Sequence, residues 1–511
     1  MDKKTQFLLQ GHSIFENLPA DIIELADIFV QHSCELSLVG GPVRDAFLGR
    51  EIHDFDLTTN AHPQQTQELL SLWTNNTWDV GKDFGTIAGM RNDITVEITT
   101  YRSEEYDATS RKPTVTYGTS LEGDMTRRDF TVNAMAVRLP SIELVDPCGG
   151  LDDLVAGILR TPAQAVQSFD DDPLRIMRAG RFAAQLSFDI EEDVRQAMKD
   201  MASRLRIVSA ERIRDELVKL LMSDNPRRGI DALMQTGVID EVLPELRELL
   251  STEDAHKRHK DVYTHSLMVL EQVMALESGE RDVQAGEYSR DVMANRRLES
   301  LAALPDDMLG GSLPGPDVPL RLAALLHDIG KPATRRFESD GSVTFRGHDI
   351  VGARMARKRL RALHFDKQTI KTVTRLIELH LRAFGFAEAG WTDSAVRRFV
   401  RDAGEELPRL LRLIRADVTS QNAKRISSLH QGNDELARRI TELKKQEELD
   451  AIRPDLSGEQ IMEILHLKPG RLVGQARQYM LDVRLEEGPL PYDEAVKRLM
   501  GWWNNRENKV C

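Results

Sequence analysis

The chain has 511 residues, too many for one core, and 41% of them are apolar, so an ordinary globular protein of three or four domains is expected. No apolar run approaches the roughly 18–20 residues of a membrane span; three scattered cysteines (Cys34, Cys148, Cys511) argue against a disulfide framework or a Cys-based zinc site and fit a reducing cytoplasm. The formal charge is −14, yet residues 353–425 hold 17 Lys/Arg against 8 Asp/Glu, a local +9 that leaves −23 elsewhere and keeps RNA contact open beside plain solvated helix faces.

In chain order, the start MDKKTQFLLQGHSIFENLPADIIELADIF lacks the apolar block and small-residue cleavage site of a secretory signal. An amphipathic helix is predicted near residues 20–32. Residues 36–150 are rich in short β-type runs: ELSLVGG, TIAGM, ITVEITTY, TVTYG and FTVNAMAVRL. From about 151 the pattern turns helical. DDPLRIMRAGRFAAQL, DVRQAMKDMASRL and SAERIRDELVKLLM space their apolar residues by three and four, and Ser209 is placed to cap the last. Residues 276–319 interrupt this with charged LESGERDVQAGEYSRD and Pro/Gly-rich LPDDMLGGSLPGPDVP, which predicts a mobile insertion. Helical character returns at 320 and continues to about 450. The expected architecture is an α+β head on a long helical body.

The stretch LVGGPVRDAFLGREIHDFDLTT, residues 38–59, concentrates chemistry. Gly40 and Gly41 end a strand-like run, where they let backbone N–H groups approach an anion. The short helix that follows favours a phosphate at its start, and Arg44 and Arg50 offer two-pronged clamps. His53–Leu57 reads as a strand, and alternation puts Asp54 and Asp56 on one face. Two carboxylates beside a phosphate cradle call for a cation. Mg²⁺ suits the oxygen ligands, with Glu97 of a further strand as a third carboxylate.

These residues resemble the class II nucleotidyltransferases: bacterial CCA-adding enzymes and poly(A) polymerases of the DNA polymerase beta superfamily. The resemblance covers Leu38–Thr59, then Arg127-Arg128-Asp129-Phe130-Thr131-Val132-Asn133-Ala134-Met135, Asp146-Pro147-Cys148-Gly149-Gly150, and Asp171–Phe182. It implies a mixed-sheet head followed by an all-α neck and body. It also implies that the Asp171–Arg181 segment selects the nucleotide. Asp172 accepts hydrogen bonds and Arg175 donates them, and at a spacing of three a helix presents both on one face. Cytosine and adenine each show an amine donor beside a ring-nitrogen acceptor; uracil and guanine reverse that order. Arg178 and Arg181 continue the face toward the triphosphate. Asp171 stands where the family has Glu.

The resemblance further implies that Arg127, Arg128 and Asp129 contact sugar or phosphates, that Asn133 braces the loop, and that Asp146–Gly150 is a head-to-neck hinge. Gly81-Lys82-Asp83-Phe84-Gly85 looks like the tRNA-directed branch, which favours addition of CCA from CTP and ATP to tRNA. An A-adding enzyme or a poly(A) polymerase is the alternative.

Further on, a helix ending in His327-Asp328-Ile329-Gly330-Lys331 resembles the HD metal-dependent phosphohydrolases. His265, His348, His380 and Asp417 complete that pattern in order. Such a set suits a transition metal and implies phosphoester hydrolysis at tRNA 3′ ends, or a chain that is chiefly a phosphohydrolase using its head to hold RNA. The implied domains are an extension at 1–35, the head at 36–160, the neck and body at 161–250, the α-helical HD domain at 255–420 and a helical tail at 421–511.

Overall fold

The computed structural model describes residues 2–81, 85–105, 114–118, 120–252, 261–278, 306–313, 315–384, 386, 391–418, 423–447 and 453–507. Most of the predicted insertion, and Lys82, Asp83 and Phe84, lie outside the described residues. The chain divides into two compact units, Met1–Val242 and Leu243–Cys511.

The first unit opens with helices Lys3–Glu16 and Ala20–Gln31; the second buries Ile22, Leu25, Ala26 and Phe29, one stripe at helical spacing. Next come strands β1 (Leu36–Val39), β2 (Phe55–Thr59), β3 (Thr77–Gly81), β4 (Thr86–Arg91), β5 (Ile94–Thr100), β6 (Arg102–Glu105), β7 (Thr114–Tyr117), β8 (Ala136–Leu139) and β9 (Glu143–Val145). Seven of them form a mixed sheet in the order β3-β4-β5-β2-β1-β8-β9, while β6 and β7 pair separately. Within the sheet β2 and β5 run parallel, and their register sets Asp56 directly opposite Glu97. β2 starts at Phe55, two residues later than the expected His53–Leu57 strand, and leaves Asp54 just before it. The alternation holds all the same, with Asp54 and Asp56 exposed and Phe55 and Leu57 buried.

FTVNAMAVRL is not a strand throughout. Thr131–Asn133 forms a 3₁₀ turn, where Asn133 makes a local bond to Asp129 (3.1 Å) that competes with the ladder and Thr131 donates across the chain to Asp153 (2.6 Å). Asp146 accepts from the backbone N–H groups of Gly150 and Leu151 at 2.7 and 2.9 Å, so the expected hinge is a well-tied turn at the start of helix Gly150–Ala156.

The base-reading segment differs from expectation in one respect. Helix Ala165–Asp171 stops, Asp172 is extended (φ −140°, ψ 100°), and a new helix runs Leu174–Leu186. Pro173 explains the break: it lacks an N–H and pushes the residue before it out of helical geometry. Asp172 therefore sits at the helix mouth, its Oδ1 accepting from Leu174 N at 3.1 Å, while Arg175 lies in the first turn. The two are not on one continuous helix. Helix Ala210–Leu221 packs alongside, capped by Ser209 as expected. Helix Pro226–Gln235 meets the Leu174–Leu186 helix backbone to backbone: a Cβ on Gly229 would fall 2.5 Å from the Gly180 carbonyl oxygen.

The second unit is helical apart from the short β10 (Arg336–Phe337) and β11 (Val343–Thr344) pair. Its helices Val262–Ser278, Val318–Leu326, His348–Ala362, Lys367–Leu379 and Leu407–Ala416 bury a common core. The tail helices Gly458–Ile464, Arg471–Glu487 and Tyr492–Glu507 enclose a core of their own, built on Leu456, Ile461, Ala476, Met480, Ala495 and Leu499.

Candidate functional site

The first site forms on the interior strands β1, β2 and β5 of the sheet. Gly40 ends β1 with φ +73° and ψ −128°, a conformation that only glycine adopts cheaply, and helix Gly41–Phe47 starts immediately after it. A Cβ there would lie 2.9 Å from Arg128 Nη1, so the turn also admits that guanidinium. Asp54, Asp56 and Glu97 share the neighbourhood. Crowding by protein atoms, then the charges of Glu97 and Asp54, push the Asp56 carboxyl up, while Arg128 opposes the rise. Mutual repulsion of this kind, among hard oxygen donors, fits a divalent cation.

Arg44 takes a different place from the expected phosphate clamp. It is buried, donating to Asn133 Oδ1 (2.6 Å) and to both Asp45 oxygens (3.0 and 2.8 Å), and so ties the glycine turn to the 3₁₀ turn. Arg50 stays half exposed, 3.7 Å from Asp45. Asp129 is also buried, in an ion pair with Arg178 at 2.8 Å. Burial alone would raise its proton affinity; Arg178 and the Asn133 amide outweigh that and hold the carboxyl below the usual range.

Several residues that local sequence patterns did not single out support the site. Buried Asp124 accepts from Arg127 Nε (3.2 Å) and from Arg128 Nη2 (3.3 Å), one carboxylate orienting two guanidinium groups. The Arg127 carbonyl in turn accepts from Arg175 Nη2 at 2.7 Å, and Arg175 Nη1 donates to Ser168 Oγ at 2.8 Å. Helix Ala210–Leu221 braces both ends of the Asp172–Arg181 segment. Arg212 holds Asp172 Oδ2 at 3.0 Å, and Glu216 holds Arg181 Nε at 2.5 Å. Arg178 and Arg181 are thus engaged with protein carboxylates. The Ser209-Ala210-Glu211-Arg212 start was visible as a cap. Its long-range partners, 35 and 40 residues away, leave no local signal.

The second site brings all six expected residues together. His265, His327 and Asp417 form one group of converging ligand atoms, and Asp328, His348 and His380 form another. All six are buried. His265 Nε2 lies 3.1 Å from His327 Nε2 and 3.0 Å from Asp417 Oδ1, while Asp328 faces both groups, with Oδ2 3.3 Å from His265 and Oδ1 3.2 Å from His348.

The rings are oriented by their far nitrogens. His327 Nδ1 meets the Ala324 carbonyl, His348 Nδ1 that of Phe345 and His380 Nδ1 that of Ile377, at 2.9, 2.7 and 2.7 Å. Carbonyls accept only, so Nδ1 carries the proton in each and Nε2 presents its lone pair to the site. His380 Nε2 has no hydrogen-bond partner among the described residues. A buried acceptor without a donor is costly, and a cation satisfies it. The carboxylates draw positive charge to the site: burial disfavours a charged His327, but Asp328 and Asp417 override it and push the imidazole up to about 10, a demand at Nε2 that a proton or a metal ion meets; burial, with His327 nearby, takes His380 down to about 4. Lys331, one turn on, contacts Asp328 Oδ2 at 2.6 Å.

Much of the positive charge of residues 353–425 is engaged inside the second unit. Arg359 meets Glu245, Arg382 and Arg401 meet Asp402, Arg398 meets Glu486, Arg409 meets Asp317 and Glu406, and Arg415 meets Asp434. A net charge of +9 is therefore not an RNA surface of the same magnitude.

Three family models match in order: the poly A polymerase head domain over residues 36–160, the probable RNA and SrmB-binding site of polymerase A over 187–250, and the HD domain over 262–421. The chain is 32% identical over 457 residues to the A-adding tRNA nucleotidyltransferase of Deinococcus radiodurans, covering 88% of this chain and 91% of that one. It is 41% identical over 236 residues to the CCA-adding enzyme of Streptococcus sanguinis, covering 45% of this chain and 58% of the relative. Among solved structures, the Bacillus stearothermophilus CCA-adding enzyme in complex with CTP shares the fold, with TM-score 0.63 and 24% identity, over 96% of this chain and 99% of that one. No described helix is long and apolar enough to cross a membrane.

Proposed function

The chain belongs to the family of tRNA nucleotidyltransferases and poly(A) polymerases, and from that premise we propose that it adds C and A to the tRNA 3′ end from CTP and ATP. The observation that carries this reading is the acidic strand face of Asp54, Asp56 and Glu97 beside a glycine turn crossed by Arg128. In the reaction the terminal 3′ oxygen loses its proton and bonds to the α-phosphorus, the bond to the β-phosphate breaks, and pyrophosphate leaves.

Asp54 and Asp56, with Glu97 beside them, would hold magnesium, which when bound would neutralise charge on the attacking and leaving oxygens. The Gly40-Gly41 turn clears the approach to the phosphates, and Arg128, oriented by Asp124, adds a guanidinium. Asp172 accepts from the exocyclic amine of the base and Arg175 donates to its ring nitrogen. Their other bonds, to Arg212 and to Ser168 and the Arg127 carbonyl, fix the template in advance.

Incubating tRNAs that end in the discriminator base, in C and in CC with each nucleotide separately tests this. Stepwise addition of C, C and A supports it. Addition of A alone to the CC end reassigns the chain as an A-adding enzyme, the activity named for the Deinococcus relative.

A second reading rests on the convergence of the six histidine and aspartate side chains. We propose that this site holds a transition metal on His265, His327, Asp328 and Asp417, with His348 and His380 adjoining, and hydrolyses phosphate esters at tRNA 3′ ends. The metal supplies an activated water. Release of phosphate from tRNA carrying a 3′-phosphate, or opening of a 2′,3′-cyclic phosphate to a phosphomonoester, each lost in Asp328→Asn, checks it.

A further inference from the structure

The free cations of residues 353–425 fall into a pattern. Arg354, Lys358, Arg361, Lys367 and Lys371 are exposed and have no ion-pair or hydrogen-bond partner among the described residues. All five lie on one helical hairpin, His348–Ala362 and Lys367–Leu379. Their spacing is 354, 358 and 361 on the first helix and 367 and 371 on the second, one face of each.

Arg361, Lys367 and Lys371 line a groove of about 700 Å³. Four carboxylates also line it, but three are already neutralised: Glu378 by Arg357 and Arg375, Asp402 by Arg382 and Arg401, and Glu406 by Thr372 and Arg409. Glu405 alone counters the three free cations. A groove whose net charge is positive, whose walls carry flexible donors and which lies on rigid helices is suited to a string of phosphates.

We propose that this hairpin groove is a docking surface for the sugar-phosphate backbone of RNA, and that it holds the body of the tRNA while its 3′ end reacts. The inference rests on the nucleotidyltransferase reading for the identity of the RNA. Lysines and arginines without base-edge geometry read backbone charge and shape, so the contact is indifferent to tRNA sequence.

The test is Arg361→Gln/Lys367→Gln/Lys371→Gln in the full chain, which removes the charges, keeps helix propensity and touches no buried contact. Filter binding of tRNA across a salt series is the first readout, because it needs no turnover. The expected result is a dissociation constant raised about tenfold at low salt and a log–log salt slope shallower by about 2, at roughly 0.7–0.9 per lost phosphate contact. Nucleotide addition is the second readout: KM for tRNA rises with it, while kcat and KM for CTP stay at parental values. A triple variant with unchanged tRNA affinity and salt slope overturns the proposal. Separately, a parent chain that binds tRNA through the groove but adds no nucleotide refutes the nucleotidyltransferase reading and leaves the docking surface standing.

Discussion

Asp129 and Gly40 show how single residues serve the first site without belonging to the reaction. Asp129 → Asn removes the charge opposite Arg178 and leaves a guanidinium with its counter-ion gone, a loss of about 2–3 kcal/mol in urea unfolding. The pH dependence has a definite sign. The carboxyl is held below its ordinary value in the folded state, so its stabilisation is present above the unfolded pKa of about 4 and disappears as pH falls through the lower folded value. The variant should therefore lose stability at neutral pH and show a flatter acid limb than the parent. Gly40→Ala acts differently. It forces a side chain into a backbone region costing on the order of 1–3 kcal/mol and pushes a methyl against Arg128. KM for both nucleotides should rise together in steady-state assays, with tRNA affinity unchanged, because the displaced group faces the phosphates and not the base.

At the level of elements, the Leu174–Leu186 helix, proposed to read the base, depends on two neighbours, and each makes a separate prediction. Gly229→Ala places a methyl 2.5 Å from the Gly180 carbonyl, an overpacking that cannot relax without separating two helices. A cost of about 1–3 kcal/mol in thermal or urea unfolding is expected. Glu216→Gln keeps an acceptor for Arg181 but removes its charge. Nucleotide discrimination should weaken, measured as misincorporated U on a tRNA ending in C, by more than the overall rate falls.

These contacts also mark where sequence reading stops. The glycine turn, the acidic strand and the six HD-type residues were legible because strand alternation and motif order are short-range properties. Asp124, Arg212 and Glu216 were not, since their importance lies in partners brought close only by packing. Asp172 was assigned to a helix by its spacing from Arg175, and Pro173 next to it was the overlooked signal. In residues 353–425 composition counted cations correctly but could not distinguish Arg409, locked on Asp317, from Lys371, which has no partner among the described residues.

For the whole molecule, an exposed acidic centre in one compact unit and a buried one in the other imply two separable metal dependences. The second site concentrates four imidazoles and two carboxylates away from water, so a transition metal that binds only the folded state stabilises its unit by about 2.7 kcal/mol at one hundred times the dissociation constant. In differential scanning calorimetry of the full chain that corresponds to a rise of roughly 5–10 °C in one transition. Asp328→Asn should abolish the rise and leave magnesium-dependent nucleotide addition intact. Asp56→Asn should do the opposite, reducing addition by roughly a thousandfold or more while the transition-metal shift persists. If either single substitution removed both responses, the two centres would have to be coupled through the fold, and a head and an HD unit acting as independent chemical devices would no longer describe this chain.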